Sequence, residues 1–588
     1  MATNDTTADL IHKLSKELAT QRALLIDRYP NARNSLRLML SAMGITSVHS
    51  ASNSADVLRQ VKNNRFDMIL ADYLLEDGRD SQQLLEELRQ QHLVPLSTVF
   101  FLITSERAYH NVVSIAELAL DDYLIKPFTV DELQGRLIRA VYKKRFFLAL
   151  FESLDNGAYA EALVICERLV AQNNAFLFDA LRFKGEILNA LGRHAEAEAV
   201  YQQVLSHKMV PWARMGLATA LRGQKQLPEA EALSQSLIED FPEFLAAYDF
   251  LAEVQEELGK LSEAQEVLQQ ASTISPNNSN RQRMVGDVAV RNNDLLTAEK
   301  AYSKVLDRRR GSSLKDVNDY TNLTRVLLDR DQTAAAKAVT EDLRRSWRGN
   351  KQGEVAALVM ESLCANKEGE AGKAQQAVQK ALELYETLRE DGRASATLSQ
   401  KLILDLAHAC LATGAEEAAR NIVRQVAAEN HEDGSVIAQV QSIYAKAGKA
   451  ADGKALLAEV GKEIVELNNR GVLAARSGDV AASVKLLIEA ADRVPNLQFL
   501  VNAVKAIFTL MEQKGWDNAL AKRGLEYLET AQMKDLRNPK VISARELYQR
   551  VARKYGIPIV PLTGVKRSSE EIPEISKAAQ TVGSRSKR

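Results

Sequence analysis

Along the first 145 residues, short apolar runs alternate with stretches in which apolar positions recur every three or four residues. Ala23–Asp27 (ALLID), Met68–Asp72 (MILAD) and Thr98–Thr104 (TVFFLIT) are continuous apolar runs that end on a polar residue. Runs of that length without alternation belong to parallel strands covered on both faces. Thr46–Ser50 is a weaker strand and Asp122–Ile125 (DYLI) a fifth. Between them, helical spacing appears in Ala32–Met43, closed by Gly44, in Ser54–Lys62, stopped by Asn63-Asn64, in Ser81–Gln91 and in Ala108–Ala119. Strand and helix in alternation predict a parallel sheet with right-handed crossovers, hence a doubly wound α/β domain over residues 21–144. Residues 1–20 are polar and predict a mobile arm. Thr129 with Glu132 is a capping box. The helix it starts meets no proline and only Gly135 before Gly157, so it is expected to run on, barely broken, through Lys143-Lys144-Arg145.

From about Arg145 the strand signal stops and self-similarity takes over, at a spacing of about 34 residues. A small residue recurs at Ala162, Ala197, Ala230, Ala264, Ala298, Ala336, Ala374 and Ala419. Four residues on comes a medium or large side chain in most units, as at Cys166, Tyr201, Leu268 and Tyr302. Gly185, Gly216, Ala252 and Gly286 form a second small column. Turn glycines stand at Gly192, Gly259, Gly414, Gly448 and Gly478, and Pro242, Pro276 and Pro495 end units. This pattern resembles tetratricopeptide repeats, clearest at Leu245–Asn278 and Ile464–Leu497, longer and poorer over 313–400. Each unit is a helical hairpin too small to bury its own apolar face, so neighbours must stack. The prediction is an all-α solenoid over 145–555, offering a long concave surface to a protein partner. Arg182, Lys184, Arg214, Arg281, Arg283, Asn318 and Asn322 fall on its inner helices, either as a clamp for an acidic segment or as a solvated face. The prolines of Gly556–Leu562 keep that stretch extended, and residues 556–588 read as a disordered tail.

Composition narrows the function classes. The chain has 588 residues and a net charge of −1, which offers no general attraction to nucleic acid or an anionic membrane. Helical repeats can read RNA, but such surfaces are basic, and the balanced charge argues against that reading. Cys166, Cys364 and Cys410 lie far apart on helical apolar faces, which excludes a disulfide scaffold or structural zinc and fits a cytoplasmic protein. His194, His207, His408 and His431 share no metal-ligand spacing. The start lacks a basic segment followed by an apolar one, and no apolar run approaches the ~20 residues that span a bilayer.

The polar residues at the strand ends make a set: Asp27 after the first strand, Asp72 after the third, Thr104-Ser105 after the fourth, Lys126-Pro127 after the fifth. In open α/β sheets ligands bind beyond the carboxyl ends of the strands. Over roughly residues 21–144 this constellation resembles the receiver domain of two-component response regulators. The expected architecture is therefore an α/β flavodoxin-like receiver domain followed by an all-α tetratricopeptide-repeat solenoid. The resemblance implies that Asp72 is a phosphoacceptor attacking a phosphohistidine, with Thr104 and Lys126 holding the phosphoryl group. Tyr123 takes the aromatic switch position and Pro127 that of a cis proline. Asp27, Asp72 and the Leu74 backbone carbonyl would hold Mg²⁺.

One position departs. Where the family has a second, metal-binding acid after the first strand, this chain has Arg28, which supplies no oxygen ligand and repels a cation. Leu75-Glu76 and Ser81 also stand where Met-Pro and Gly are usual. Two readings follow. In one, a non-enzymatic phosphorelay adaptor takes a phosphoryl group from a histidine kinase or phosphotransfer protein and modulates partner binding by the repeats. In the other, a pseudo-receiver scaffold works without phosphorylation, Arg28 acting as a built-in cation.

Overall fold

The computed structural model describes residues 18–76, 81–90, 93–104, 121–172, 174–276, 278–309, 315–390, 398–430, 433–535 and 538–557. The expected helix 108–119, Ser105, His431, the arm before residue 18 and the tail from 558 lie outside the described residues. The chain forms two compact units, residues 1–284 and 285–588.

In the first unit, β1 (Ala23–Ile26), β2 (Val48–Ala51), β3 (Met68–Asp72), β4 (Val99–Thr104) and β5 (Asp122–Ile125) pair in the order β2-β1-β3-β4-β5. All four pairings are parallel, with Ala23 beside both Val48 and Met68, and Asp72 beside Ile103. This is the flavodoxin-like order. Strand side chains alternate between two cores, as the pleat requires. Leu25, Leu70 and Phe101 face one core with Leu36 and Leu40 of α1 (Pro30–Ala42) and with Leu133 and Leu137 of a helix near residue 130. Ile26, Ile69 and Phe100 face the other, with Val57 of α2 (Ser54–Asn63) and Leu84 and Leu88 of α3 (Ser81–Gln90). Burying a side chain of this kind stabilises by about 2–3 kcal/mol, which is why the apolar runs fix the sheet. The helix near residue 130 is α4 (Val130–Phe146), and Thr129 caps it by accepting a hydrogen bond from the Glu132 amide.

Some boundaries moved. Pro30 at the first turn starts α1 ahead of Ala32, since proline's missing donor is no loss there. The end of the expected arm belongs to the fold, because Leu18 is fully buried in the first core. The chain passes from α4 to α5 (Leu148–Asp155) with only Phe147 out of helical conformation, and the Phe147 and Phe151 amides keep helical hydrogen bonds across it. The break is as slight as expected.

That junction is fastened. Lys144, in the last turn of α4, donates to the Leu96 carbonyl at 2.7 Å and pairs with Asp121 at 3.0 Å. The Leu96 amide donates to Asp155 at 3.1 Å, and the Leu96 side chain packs against the aromatic core of the first repeats. Lys143 pairs with Asp179 at 2.6 Å, joining α4 to the helix Leu177–Ala190. Burial lowers the Lys144 pKa, against the pull of Asp121.

Helical hairpins fill the rest of both units. Every member of the alanine column, from Ala162 to Ala419, is fully buried. Within the second unit, first helices two and three hairpins apart touch. Asp287 pairs with Lys401 at 2.8 Å, Arg325 with Asp405 at 3.3 Å and Asp329 with Lys446 at 2.9 Å, while Ser399 bonds Asn318. These contacts join first helices that are not neighbours in sequence. The repeat placed at Ile464–Leu497 needs correction: Ala450–Arg476 is one helix of 27 residues, so the unit begins in mid-helix. No proline or left-handed glycine interrupts that stretch to make a turn.

Candidate functional site

β1 and β3 are neighbours in the sheet, so their carboxyl ends carry Asp27 and Asp72 side by side, and β5 brings Lys126 to the same edge. Lys126 Nζ bridges the two carboxylates, 2.9 Å from Asp27 Oδ2 and 3.1 Å from Asp72 Oδ1. Asp27 is completely buried and both its oxygens are engaged, since Oδ1 accepts the Tyr29 amide at 2.8 Å. Its backbone carbonyl accepts from Arg33 at 2.5 Å. Asp72 is more open, with its side chain 12% exposed at the sheet edge.

Two anions share one cation here, and both titrations reflect it. Burial raises the Asp72 pKa and Asp27 adds to that, while Lys126 opposes them. Burial pulls Lys126 down, but the Asp27 hydrogen bond and both carboxylate charges outweigh it, and its pKa ends above 10.5. Lys126 is thus held as an ammonium, and its stabilising effect is lost only as pH rises past that value.

Thr104 is buried at the end of β4, where its carbonyl accepts the Lys126 amide at 2.8 Å. The Lys126-Pro127 bond is cis. Tyr123 is 40% exposed on β5, and its carbonyl accepts from Arg136. Leu74 lies half-buried in the loop after β3. Sequence reasoning noted Ser81 only as a departure, but it ties that loop down. Its amide donates to the Tyr73 carbonyl at 2.8 Å and its hydroxyl donates to the Asp72 carbonyl. A serine opening a helix just past a strand-end acid was the available signal.

Arg28 is half-buried, with its guanidinium 4.7 Å over the Tyr29 ring and its Nε buried without a hydrogen-bond partner. Mg²⁺ takes six oxygens in octahedral array. This edge offers two carboxylates already bridged by an ammonium, and the residue that follows Asp27 is Arg28, whose side chain supplies no oxygen. Among the described residues no three acidic, histidine or cysteine side chains converge as a metal site. The donor set fits a divalent cation poorly.

The inner-helix polar residues are engaged with their own neighbours: Arg182 with Glu186, Lys184 with Glu167, Arg214 with Asp240 and Arg281 with Asp249. Cys166, Cys364 and Cys410 are buried free thiols, pushed by burial to about 12, about 11 and about 12. Among the described residues no helix is long and apolar enough to cross a membrane.

The family described as the response regulator receiver domain matches residues 23–138, and tetratricopeptide repeat families match 152–210 and 221–288. The chain is 29% identical over 114 residues to the probable transcriptional regulator ycf27 of Cyanidium caldarium, spanning 19% of this chain and 43% of that one. It is 27% identical over 207 residues to the transcriptional regulatory protein CpxR of Escherichia coli K12, spanning 33% and 83%. Among solved structures, a tetratricopeptide repeat protein from Parabacteroides merdae aligns at 14% identity over 41% of this chain and 92% of that one, with a TM-score of 0.28. The C-terminal part of a TPR repeat-containing protein from Cytophaga hutchinsonii aligns at 12% identity over 43% and 97%, with a TM-score of 0.30.

Proposed function

We propose that this chain, a response regulator whose receiver domain is followed by tetratricopeptide repeats, works as a phosphorylation-controlled adaptor in the cytoplasm of a bacterial two-component pathway. The observation that carries the reading is the Lys126 ammonium bridging Asp27 and the accessible Asp72. Asp72 Oδ attacks the phosphorus of a phosphohistidine on a histidine kinase or phosphotransfer protein. The P–O bond forms as the P–N bond breaks, and the imidazole nitrogen keeps the electron pair. Lys126 orients the carboxylate and then faces the phosphoryl charge, and Thr104, at the same edge, donates its hydroxyl to a phosphoryl oxygen. Tyr123 reports the change from β5, and the repeats pass it on as altered affinity for a protein partner. Receiver domains and tetratricopeptide repeats are typically non-catalytic modules, so output goes through binding.

Receivers of response regulators typically use Mg²⁺, whereas the donor set here favours a second reading, a pseudo-receiver scaffold with Arg28 as its evidence. Treatment with acetyl phosphate followed by peptide mass spectrometry separates the two. A phosphoryl adduct on Asp72, absent in Asp72→Asn, is expected. An unmodified Asp72 at every Mg²⁺ concentration would leave only the scaffold.

A further inference from the structure

We propose that Arg28 is a phosphoryl-binding residue, and that it lets Asp72 be phosphorylated and hold its phosphoryl group without a divalent cation. The inference rests on the reading of Asp72 as a phosphoacceptor.

The argument begins with charge. Asp27 and Asp72 bring two negative charges to one edge, and Lys126 returns one positive charge to both. Once Asp72 is phosphorylated its own charge is gone, but the phosphoryl group brings close to two. Beside the buried Asp27, a single ammonium then leaves the pocket with an excess of negative charge in a poorly solvated place. Some further cation must stand there.

Two candidates exist, and the donors discriminate between them. A divalent ion would have to draw on Asp27, whose Oδ1 is held by the Tyr29 amide and whose Oδ2 is held by Lys126. It would also sit one residue from a permanent guanidinium. Arg28 needs none of those donors to be released. It follows Asp27 directly after β1, at the same edge of the sheet. Its Nε–H is buried with no acceptor, and leaving such a donor unmade costs about 1–3 kcal/mol. The guanidinium rests on the Tyr29 ring, a weak contact that a phosphoryl group can outcompete. The planar fork of an arginine matches phosphoryl oxygens two at a time, and it stays charged at any pH the fold survives. In the free protein Arg28 is therefore parked on Tyr29 with an unused donor. In the phosphorylated one that donor meets a phosphoryl oxygen.

The test uses the full chain with acetyl phosphate as donor. Asp72 Oδ attacks phosphorus, and acetate leaves with the electron pair of the broken P–O bond. In excess EDTA the wild type is expected to form the Asp72 adduct, with no gain from added MgCl₂. Arg28→Ala should lower the adduct yield in EDTA by about tenfold or more, and Arg28→Lys should recover part of it. Arg28→Asp restores a second acid beside Asp27, so its adduct should appear only with Mg²⁺. In a manganese EPR titration, Arg28→Asp should bind Mn²⁺ about tenfold or more tighter than the wild type. Circular dichroism melts of each variant verify folding. A wild-type adduct that forms only with Mg²⁺, or wild-type Mn²⁺ affinity equal to that of Arg28→Asp, overturns the proposal while leaving Asp72 a phosphoacceptor. No adduct in any variant under any condition refutes the phosphoacceptor itself, and the proposal falls with it.

Discussion

Asp405 and His408 lie one turn apart on the helix Gln400–Ala412, and burial drives each toward its neutral form. For Asp405 that means a pKa raised to about 6, with Arg325, Lys401 and Lys446 pulling the other way. For His408 it means a pKa lowered to about 4, with Lys446 and Arg325 adding to the fall and Asp329 opposing it. The signs oppose. Folded Asp405 keeps a proton that the unfolded chain has lost, so its contribution to stability falls as pH rises from about 4 to about 6. Folded His408 lacks a proton that the unfolded chain holds, so its contribution falls as pH drops from 6.5 toward about 4. Each window is about two units wide, worth up to about 3 kcal/mol, so the wild type conceals both slopes. Asp405→Asn should therefore make the second unit less stable toward acid, and His408→Gln should make it more stable toward acid. Urea melts between pH 4 and 6.5 measure this, and slopes of the same sign in the two variants would refute it.

At the scale of elements, packing is decided by small residues set against large ones. The Tyr201 ring lies between two glycines: a Cβ at Gly185 would come 2.5 Å from it and one at Gly216 2.1 Å. Gly286 leaves the same notch for Tyr302. Gly216→Ala should cost about 1–3 kcal/mol although alanine is the better helix former, because overpacking outweighs propensity. In a Tyr201→Ala background the clash is gone, and the same substitution should stabilise by about 0.5–1 kcal/mol. Denaturant unfolding of the four proteins in this cycle checks the sign reversal, and an additive result would mean the ring yields freely. This notch was legible in the sequence as two columns, one small and one large, because stacked hairpins repeat their contacts. The strands were legible too, since an apolar run such as Thr98–Thr104 has few other uses. Elsewhere the code was silent. Hairpin turns needing a left-handed residue take Lys225, Asn293 and Asp331 where other repeats take glycine, so those units lost their punctuation. The unbroken helix Ala450–Arg476 was misjudged because the apolar period of two joined helices matches that of two separate ones. At the candidate site, strand ends gave Asp27, Asp72 and Lys126, but no pattern could show one ammonium bridging both acids or Asp27 lost to solvent.

On the scale of the molecule, contacts between residues far apart in sequence decide which surfaces remain for partners. In the second unit, pairs such as Asp329 with Lys446 are half-exposed and individually weak, but they mark inner helices already in contact. A peptide laid along that stretch would have to displace them. In the first unit the repeats take hold of the receiver at Leu96, just before β4, through Asp155, while Lys144 of α4 ties Leu96 to Asp121, just before β5. Thr104 and Lys126 stand at the opposite ends of those strands, Thr104 about 17 Å from Val99 along β4 at 3.3 Å per residue. The rim that carries Asp72 thus lies at the far ends of these strands from Leu96, where the repeats are fastened to the sheet. Leu96→Asp tests the joint, because it puts a carboxylate into the aromatic core beside Asp155. Losing the partly buried leucine and adding an unpaired charge should cost the docking about 2–3 kcal/mol. Hydrogen exchange by mass spectrometry should then show protection falling in α5 and in residues 93–98, with β1 and β3 unchanged. If the fastening carries the signal, phosphorylation of Asp72 in the wild type should alter exchange in α5, and Leu96→Asp should abolish that response without reducing the adduct. Unchanged protection in α5 of the variant would mean that the receiver and the repeats are joined by α4 alone.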